Sequence, residues 1–436
     1  MHKLILALPL LLIGCATMNN DPTLGQRIHQ RDILTSVPAG FNTAEAQQLL
    51  EFCIELNNQD DRNNAHKKAD PNVYAKATEW KIFYDSRHPG NHEWNKSWPY
   101  NPIDDRLKDP NNPDSNGFGP LNNAWILVQS LKDPTVFAIA IRGTVGEWHS
   151  ILADAYATSI PAYAGIEYPL NSALPVTFAA TPKAELHLGF SYASLALLFE
   201  DDLGILTQLH HLKYNHKISK LLITGHSQGA AIATLIHSFL YYALTDPNDR
   251  YGLKNSLNPD KLKSYVFAQP KPGNLQFAQD FARITKENAY VINNDRDPVP
   301  QVPLSLETIA EVTQYIAEDN NKIKIGSWLN HVTESISHTT NSFRDKLAEL
   351  FSDKMADKFK YANIERNIKS YFPASDEKPY VALADSLNYT LAGQLVPVFG
   401  LEQGGDLYPI GSSADSLLQH HASSYRLLIS QQLVRQ

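Results

Sequence analysis

The sequence predicts an α/β fold with a mostly parallel central sheet covered by helices on both faces. Three observations carry that expectation. Short unbroken apolar runs such as Ile218 to Thr224 recur, longer small-residue or amphipathic stretches lie between them, and the two kinds alternate. A strand buried on both faces has no polar side, so it reads as continuous, whereas a half-exposed strand alternates.

In chain order, residues 43 to 57 read as an amphipathic helix, with Ala44, Leu49, Leu50, Cys53 and Leu56 near one stripe and Thr43 placed to cap it. From about Asp60 to Pro120 the chain is rich in Asn, Asp, Pro and Trp and reads as a long loop whose aromatic residues pack onto the domain. Trp125 to Ser130 and Val136 to Ile141 flank the turn Lys132-Asp133-Pro134 as a hairpin. Phe190 to Leu209 is helical in pattern, Ile218 to Thr224 is a buried strand, and Gly229 to Leu244 is a helix rich in small residues. Tyr265 to Ala268 and Tyr290 to Ile292 supply two more strands. The region at about 305–379 changes character. Ser305 to Glu318 and Ser342 to Phe372 are charged and helical in period, with Leu347, Leu350, Phe351, Met355 and Phe359 at helical spacing, and they read as a helical insertion.

The 436 residues, 43% hydrophobic and 19% charged, suffice for a large core. A formal net charge of −8 without a Lys/Arg cluster excludes a nucleic-acid partner. Met1-His2-Lys3 followed by apolar Leu4 to Ile13 suits an export signal at residues 1–14 and is too short to span a bilayer. Leu12-Ile13-Gly14-Cys15 looks like a bacterial lipobox, which assigns lipidation to Cys15 and leaves Cys53, the other of the two cysteines, without an internal disulfide. The expectation is an exported lipoprotein held at the outer membrane or cell surface through Cys15. The organisation that follows is a 15–120 extension of helix and loop, then a 121–436 α/β domain carrying the insertion.

Gly225-His226-Ser227-Gln228-Gly229 sits between the β-type run Lys220 to Thr224 and a helix start. A nucleophilic serine exposed on a sharp strand-to-helix turn needs small neighbours where strand and helix nearly touch, and Gly225, Gly229 and Ala230 meet that need. The hydroxyl also needs a base, and the base an acid to hold its tautomer. In the α/β-hydrolase fold these follow in the order Ser, Asp or Glu, His. After residue 227 the acid candidates are Asp295 and Asp297 and the base candidates His420 and His421. His331 and His338 fall in the insertion and read as surface residues. His210-His211 and His420-His421 are adjacent pairs that do not face one centre, so no metal is expected, and no cofactor.

Beyond the elbow, the chain carries Ile141-Arg142-Gly143-Thr144, His187-Leu188-Gly189-Phe190, Ala268-Gln269-Pro270-Lys271-Pro272-Gly273-Asn274, Asn294-Asp295-Arg296-Asp297-Pro298-Val299-Pro300 and Tyr389-Thr390-Leu391-Ala392-Gly393. In this order the motifs resemble the class 3, fungal-type lipase family over about Trp125 to Tyr425. The resemblance implies an α/β-hydrolase fold and a serine carboxylester hydrolase acting on lipid esters through an acyl-enzyme. It places the nucleophile at Ser227 and the acid at Asp297 rather than Asp295. For the base, His421 is the first choice and His420 the second. The oxyanion donors it implies are the backbone of Gln228 and Thr144. Gln228 and Ala230 depart from the family's commoner Leu and Gly. Between Thr144 and His187, a stretch with Trp148, Ile151, Leu152 and Tyr156 predicts a helix over Gly146 to Thr158, which serves either as a lid or as fixed core. The alternative reading is a non-catalytic surface lipoprotein that uses a hydrolase scaffold for binding.

Overall fold

The computed structural model describes residues 37–58, 79–86, 123–143, 159–162, 166–168, 172–174, 176–200, 204–301, 364–371, 389–400 and 418–433. The signal segment with Cys15, the helix expected at Gly146 to Thr158, Thr144, and all of the insertion except its part at 364–371 lie outside them.

The main sheet has seven strands in the order β1-β2-β3-β8-β9-β11-β13. These are β1 (Trp80–Asp85), β2 (Trp125–Ser130), β3 (Val136–Ile141), β8 (Lys220–His226), β9 (Leu262–Phe267), β11 (Ala289–Asn294) and β13 (Gln394–Val398). The first two pairings are antiparallel and the remaining four parallel. Short strands β4 (Ser159–Pro161), β7 (Glu185–His187), β10 (Gly273–Asn274) and β12 (Tyr389–Thr390) form a second sheet, and β5 (Ile166–Tyr168) pairs with β6 (Ser172–Leu174).

Helices α1 (Thr43–Asn58), α2 (Leu188–Phe199), α3 (Ile205–Asn215), α4 (Gln228–Thr245), α5 (Leu275–Thr285), α6 (Ile364–Ser370) and α7 (Ala422–Gln432) complete the described elements. The strand period of two sends alternate side chains to opposite faces. Phe137, Ile139 and Ile141 join the core under α2 to α6, while Ala138 and Ala140 face the core under α1 and α7. Both faces are therefore dry, which is why the parallel strands read as continuous apolar runs. This is the α/β-hydrolase arrangement, with the elbow between β8 and α4.

Several local expectations change. The stripe of α1 contains Ala46 and not Ala44, which is exposed. The cap is Asn42, whose Oδ1 accepts from the Glu45 N–H at 3.0 Å, while Thr43 donates its hydroxyl to the Leu433 carbonyl. The region read as loop holds β1, whose Phe83 and Tyr84 are buried. The single helix expected over 190–209 is two: α2 ends with Glu200 as its C-cap and α3 begins after the extended Gly204 as its N-cap, a position where a side chain would strike the Glu200 carbonyl oxygen at 2.3 Å. From the insertion region, α6 docks on α2 through Asn367 Nδ2 donating to the Phe199 carbonyl at 2.8 Å and through buried Ile368. Cys53 is buried in α1 beside Thr224, and burial pushes its thiol up to about 12, which leaves it an inert core residue.

Candidate active site

Ser227 has φ 60° and ψ −131°, a backbone conformation that L-residues rarely adopt. The chain tolerates it because strand and helix touch backbone to backbone. A Cβ on Gly225 would lie 2.1 Å from the Gly229 carbonyl oxygen, and one on Gly229 would lie 2.4 Å from the Ile141 carbonyl oxygen. The turn is pinned by the Ser227 N–H donating to the Phe267 carbonyl at 3.0 Å and the Ala230 N–H donating to the Ser227 carbonyl at 2.9 Å. The peptide of Gln228 opens the 18-residue helix α4 immediately after Ser227, where the helix dipole is positive.

Three side chains from distant parts of the chain meet here. His420 Nε2 stands 2.9 Å from Ser227 Oγ, and His420 Nδ1 stands 2.8 Å from Asp297 Oδ2. All three residues are buried. A carboxylate only accepts, so Nδ1 carries the proton and Nε2 is left to accept from the serine hydroxyl. Asp297 is held from two more sides: its Oδ1 accepts from the Val299 N–H at 2.9 Å, and its Oδ2 accepts from the Tyr425 hydroxyl at 2.7 Å. Tyr425 in turn accepts from the Asn294 N–H at 3.0 Å. Burial, with the Asp297 carboxylate beside it, pushes the Tyr425 phenol well above its ordinary range, so it remains a donor.

The first choice of base, His421, does not reach the site. It is the exposed N-cap residue of α7, and its carbonyl accepts from the N–H groups of Ser424 and Tyr425. His420 ends the turn Leu418–His420 and so points inward before the helix begins. Asp295 also stands apart, its Oδ1 accepting from the Gly400 N–H at 2.7 Å beyond the end of β13. Gln228 is buried and its side chain donates to Asn123 Oδ1 at 3.3 Å. Thr144 falls just beyond the described residues, but Gly143 packs against the elbow, where an added Cβ would be 2.7 Å from the His226 carbonyl oxygen and 3.3 Å from Ser227 Cβ.

Two contributors escaped the sequence reading. His226 donates from Nε2 to the His420 carbonyl at 2.8 Å, and its ring lies 4.7 Å from that of His420. Burial, with His420 nearby, holds its imidazole well below the usual range, so it is neutral. Asn294 donates from Nδ2 to the Gln419 carbonyl at 2.9 Å. No sequence signal marks either role, since each depends on which loop folds back onto the elbow. Among the described residues no group of three His, Cys, Asp or Glu side chains is placed to hold a metal ion.

A hydroxyl on a strained elbow, an imidazole oriented by a buried carboxylate, and a helix N-terminus behind them can take a proton from Ser227 and return it to a leaving group. Fold and site together define a serine hydrolase. The Lipase (class 3) family matches residues 138–307, less than half the chain, and that segment carries Ser227 and Asp297 while His420 lies outside it. That match makes the class a carboxylic ester hydrolase similar to the class 3 lipases. No curated protein matches the sequence. Among solved structures, lipase II from Rhizopus niveus is 19% identical over 61% of this chain and 77% of its own, with a TM-score of 0.38. The M37 lipase is 13% identical over 88% and 93%, with a TM-score of 0.46. The lipase of Rhizopus microsporus var. chinensis is 16% identical over 62% and 71%, with a TM-score of 0.38.

Proposed function

We propose that the protein hydrolyses carboxylic esters of lipids, with phospholipids among its substrates, and that it does so through an acyl-enzyme on Ser227. The observation that carries this is the unbroken line from Ser227 Oγ through His420 to Asp297 Oδ2, closed by bonds of 2.9 and 2.8 Å. His420 removes the hydroxyl proton as Oγ attacks the ester carbonyl, and Asp297 stabilises the imidazolium that forms. His420 then protonates the departing alkoxide. A water molecule, deprotonated by the same imidazole, attacks the acyl-serine and releases the acid.

The oxyanion is assigned to the backbone N–H of Gln228, at the positive end of α4, and to Thr144, which follows the Gly143 that packs on the elbow. Such a donor pair contributes on the order of 10²–10³ per donor to turnover. The lipid preference rests on the match to the class 3 lipases, and the phospholipid part on the lipobox at Cys15, which would place the enzyme at a membrane.

The test is a fluorophosphonate probe followed by a panel of triacylglycerol, phospholipid, lysophospholipid and short p-nitrophenyl esters. Wild type is labelled and turns over lipid esters. Ser227→Ala is not labelled, and His420→Ala loses about 10⁴-fold in turnover, whereas His421→Ala stays within about threefold because an exposed cap residue away from the reacting atoms contributes little. A folded wild type that neither labels nor hydrolyses any ester in the presence of lipid vesicles supports the scaffold-only reading instead.

A further inference from the structure

The imidazole of His420 is oriented by Asp297, but its main chain is held from both sides by side chains that take no part in proton transfer. The His420 carbonyl accepts from His226 Nε2 at 2.8 Å, and the carbonyl just before it, that of Gln419, accepts from Asn294 Nδ2 at 2.9 Å. Asn294 Nδ2 also reaches Gln419 Oε1 at 3.0 Å. His226 is the residue immediately before the nucleophile, and Asn294 ends the strand that leads into the acid.

We propose that His226 and Asn294 are positioning residues that clamp successive carbonyls at the base, fixing His420 to the serine element on one side and to the aspartate element on the other. This rests on the serine-hydrolase reading of the same site. The clamp gives a physical reason for the choice of His420 over its neighbour, because it fixes the peptide so that the residue before α7 points into the site.

The chemistry favours a histidine at 226 in one tautomer. With Nε2 donating, Nδ1 carries a lone pair, is buried and has no hydrogen-bond partner among the described residues. A partner lacking on that side is costly for a buried polar atom, and the arrangement persists because the Nε2 bond and the ring packing on His420 and Tyr425, at 4.7 and 5.8 Å, occupy the other faces. Asn294, in contrast, is committed on every polar group: its N–H donates to Tyr425, its Oδ1 accepts from the Arg296 N–H, and its carbonyl accepts from the Asp297 N–H. The amide thus joins the acid turn and the base turn in one network.

The test compares the full-length wild type with His226→Phe, His226→Gln and Asn294→Ala, each shown to be folded by circular dichroism. Phe keeps the ring and removes the donor, and Gln restores a donor at about the position of Nε2. Misplacing the base by about 1 Å costs up to about 100-fold. His226→Phe therefore lowers kcat on p-nitrophenyl butyrate by ~10- to 100-fold with KM within about twofold, and slows fluorophosphonate labelling in parallel. His226→Gln recovers at least about tenfold of that loss, and Asn294→Ala loses ~10-fold in kcat. Independently of turnover, the low-field proton NMR signal of the His420 Nδ1–H bonded to Asp297 broadens in His226→Phe and sharpens again in His226→Gln. Wild-type labelling rate and an unaltered low-field signal in folded His226→Phe overturn the clamp. An unlabelled wild type that still shows the signal, and still loses it in His226→Phe, instead sinks the hydrolase reading and leaves the clamp standing.

Discussion

Replacing Tyr425 by Phe isolates one buried hydroxyl. The ring keeps its packing, since Tyr425 is fully buried against α1 and the sheet and Phe has nearly the same shape. Two bonds disappear: the one donated to Asp297 Oδ2 at 2.7 Å and the one accepted from the Asn294 N–H at 3.0 Å. A hydrogen bond to a charged acceptor contributes about 1.5–3 kcal/mol, and a buried N–H left without a partner costs about 1–3 kcal/mol. The two share one network, so they add incompletely, and the expected loss of unfolding free energy is about 2–4 kcal/mol. Turnover should suffer less. His420 Nδ1 and the Val299 N–H still hold the carboxylate, so kcat falls by about three- to tenfold with KM unchanged, the range for misdirecting an orienting group without removing it. Urea unfolding at pH 7 and initial rates on a soluble p-nitrophenyl ester measure both. A stability loss below ~0.5 kcal/mol, within the range of ordinary surface substitutions, would refute the bonding assigned to Tyr425. A kcat loss as large as that of His420→Ala would show that Tyr425 handles the reacting proton itself.

Two further outcomes follow. Burial lowers His237 in α4 from the usual imidazole range to about 3, and it lowers His226 as well. Both are neutral when folded, so their stabilisation is complete above about pH 6.5 and is lost as the pH falls from there toward about 3. Urea midpoints should fall between pH 7 and pH 4.5, and His237→Gln should flatten that slope by up to about 1.4 kcal/mol per pH unit; equal slopes would contradict a buried neutral His237. At the other end of the chain, Cys15→Ser should abolish incorporation of an alkyne fatty acid in a bacterial host and release the protein from the membrane fraction. A wild type that incorporates none would remove the proposed anchor.

The parallel core was legible in sequence because burial on both faces forces apolar runs, and β8, β11 and the Tyr265 end of β9 announce themselves that way. Strand β1 escaped because its run from Trp80 to Asp85 includes Lys81 and sits within Asn- and Pro-rich chain. The break between α2 and α3 escaped because both helices carry apolar residues at helical spacing, so the pattern bridges the short Glu200-to-Gly204 stretch as one helix. At the site, Ser227 was readable from a local constraint, an elbow that demands small neighbours, whereas Asp297 was set apart from Asp295 only by the resemblance to the class 3 lipases. His420 was not separable from His421, since two adjacent imidazoles have the same chemistry. Which of them turns inward is set by where α7 begins and by carbonyl contacts from elements far away in sequence.

The contacts between Gly225 and Gly229 and between Gly229 and Ile141 are main chain against main chain, and this bears on how such an enzyme can diversify. The serine is located by the skeleton of the fold, through main-chain contacts on either side of it. Residues around it can then change in polarity or bulk while the reacting oxygen keeps its place, as long as both glycines are retained. Selection can alter the surroundings of the serine one residue at a time, and a new substrate need not be obtained at the expense of the old chemistry.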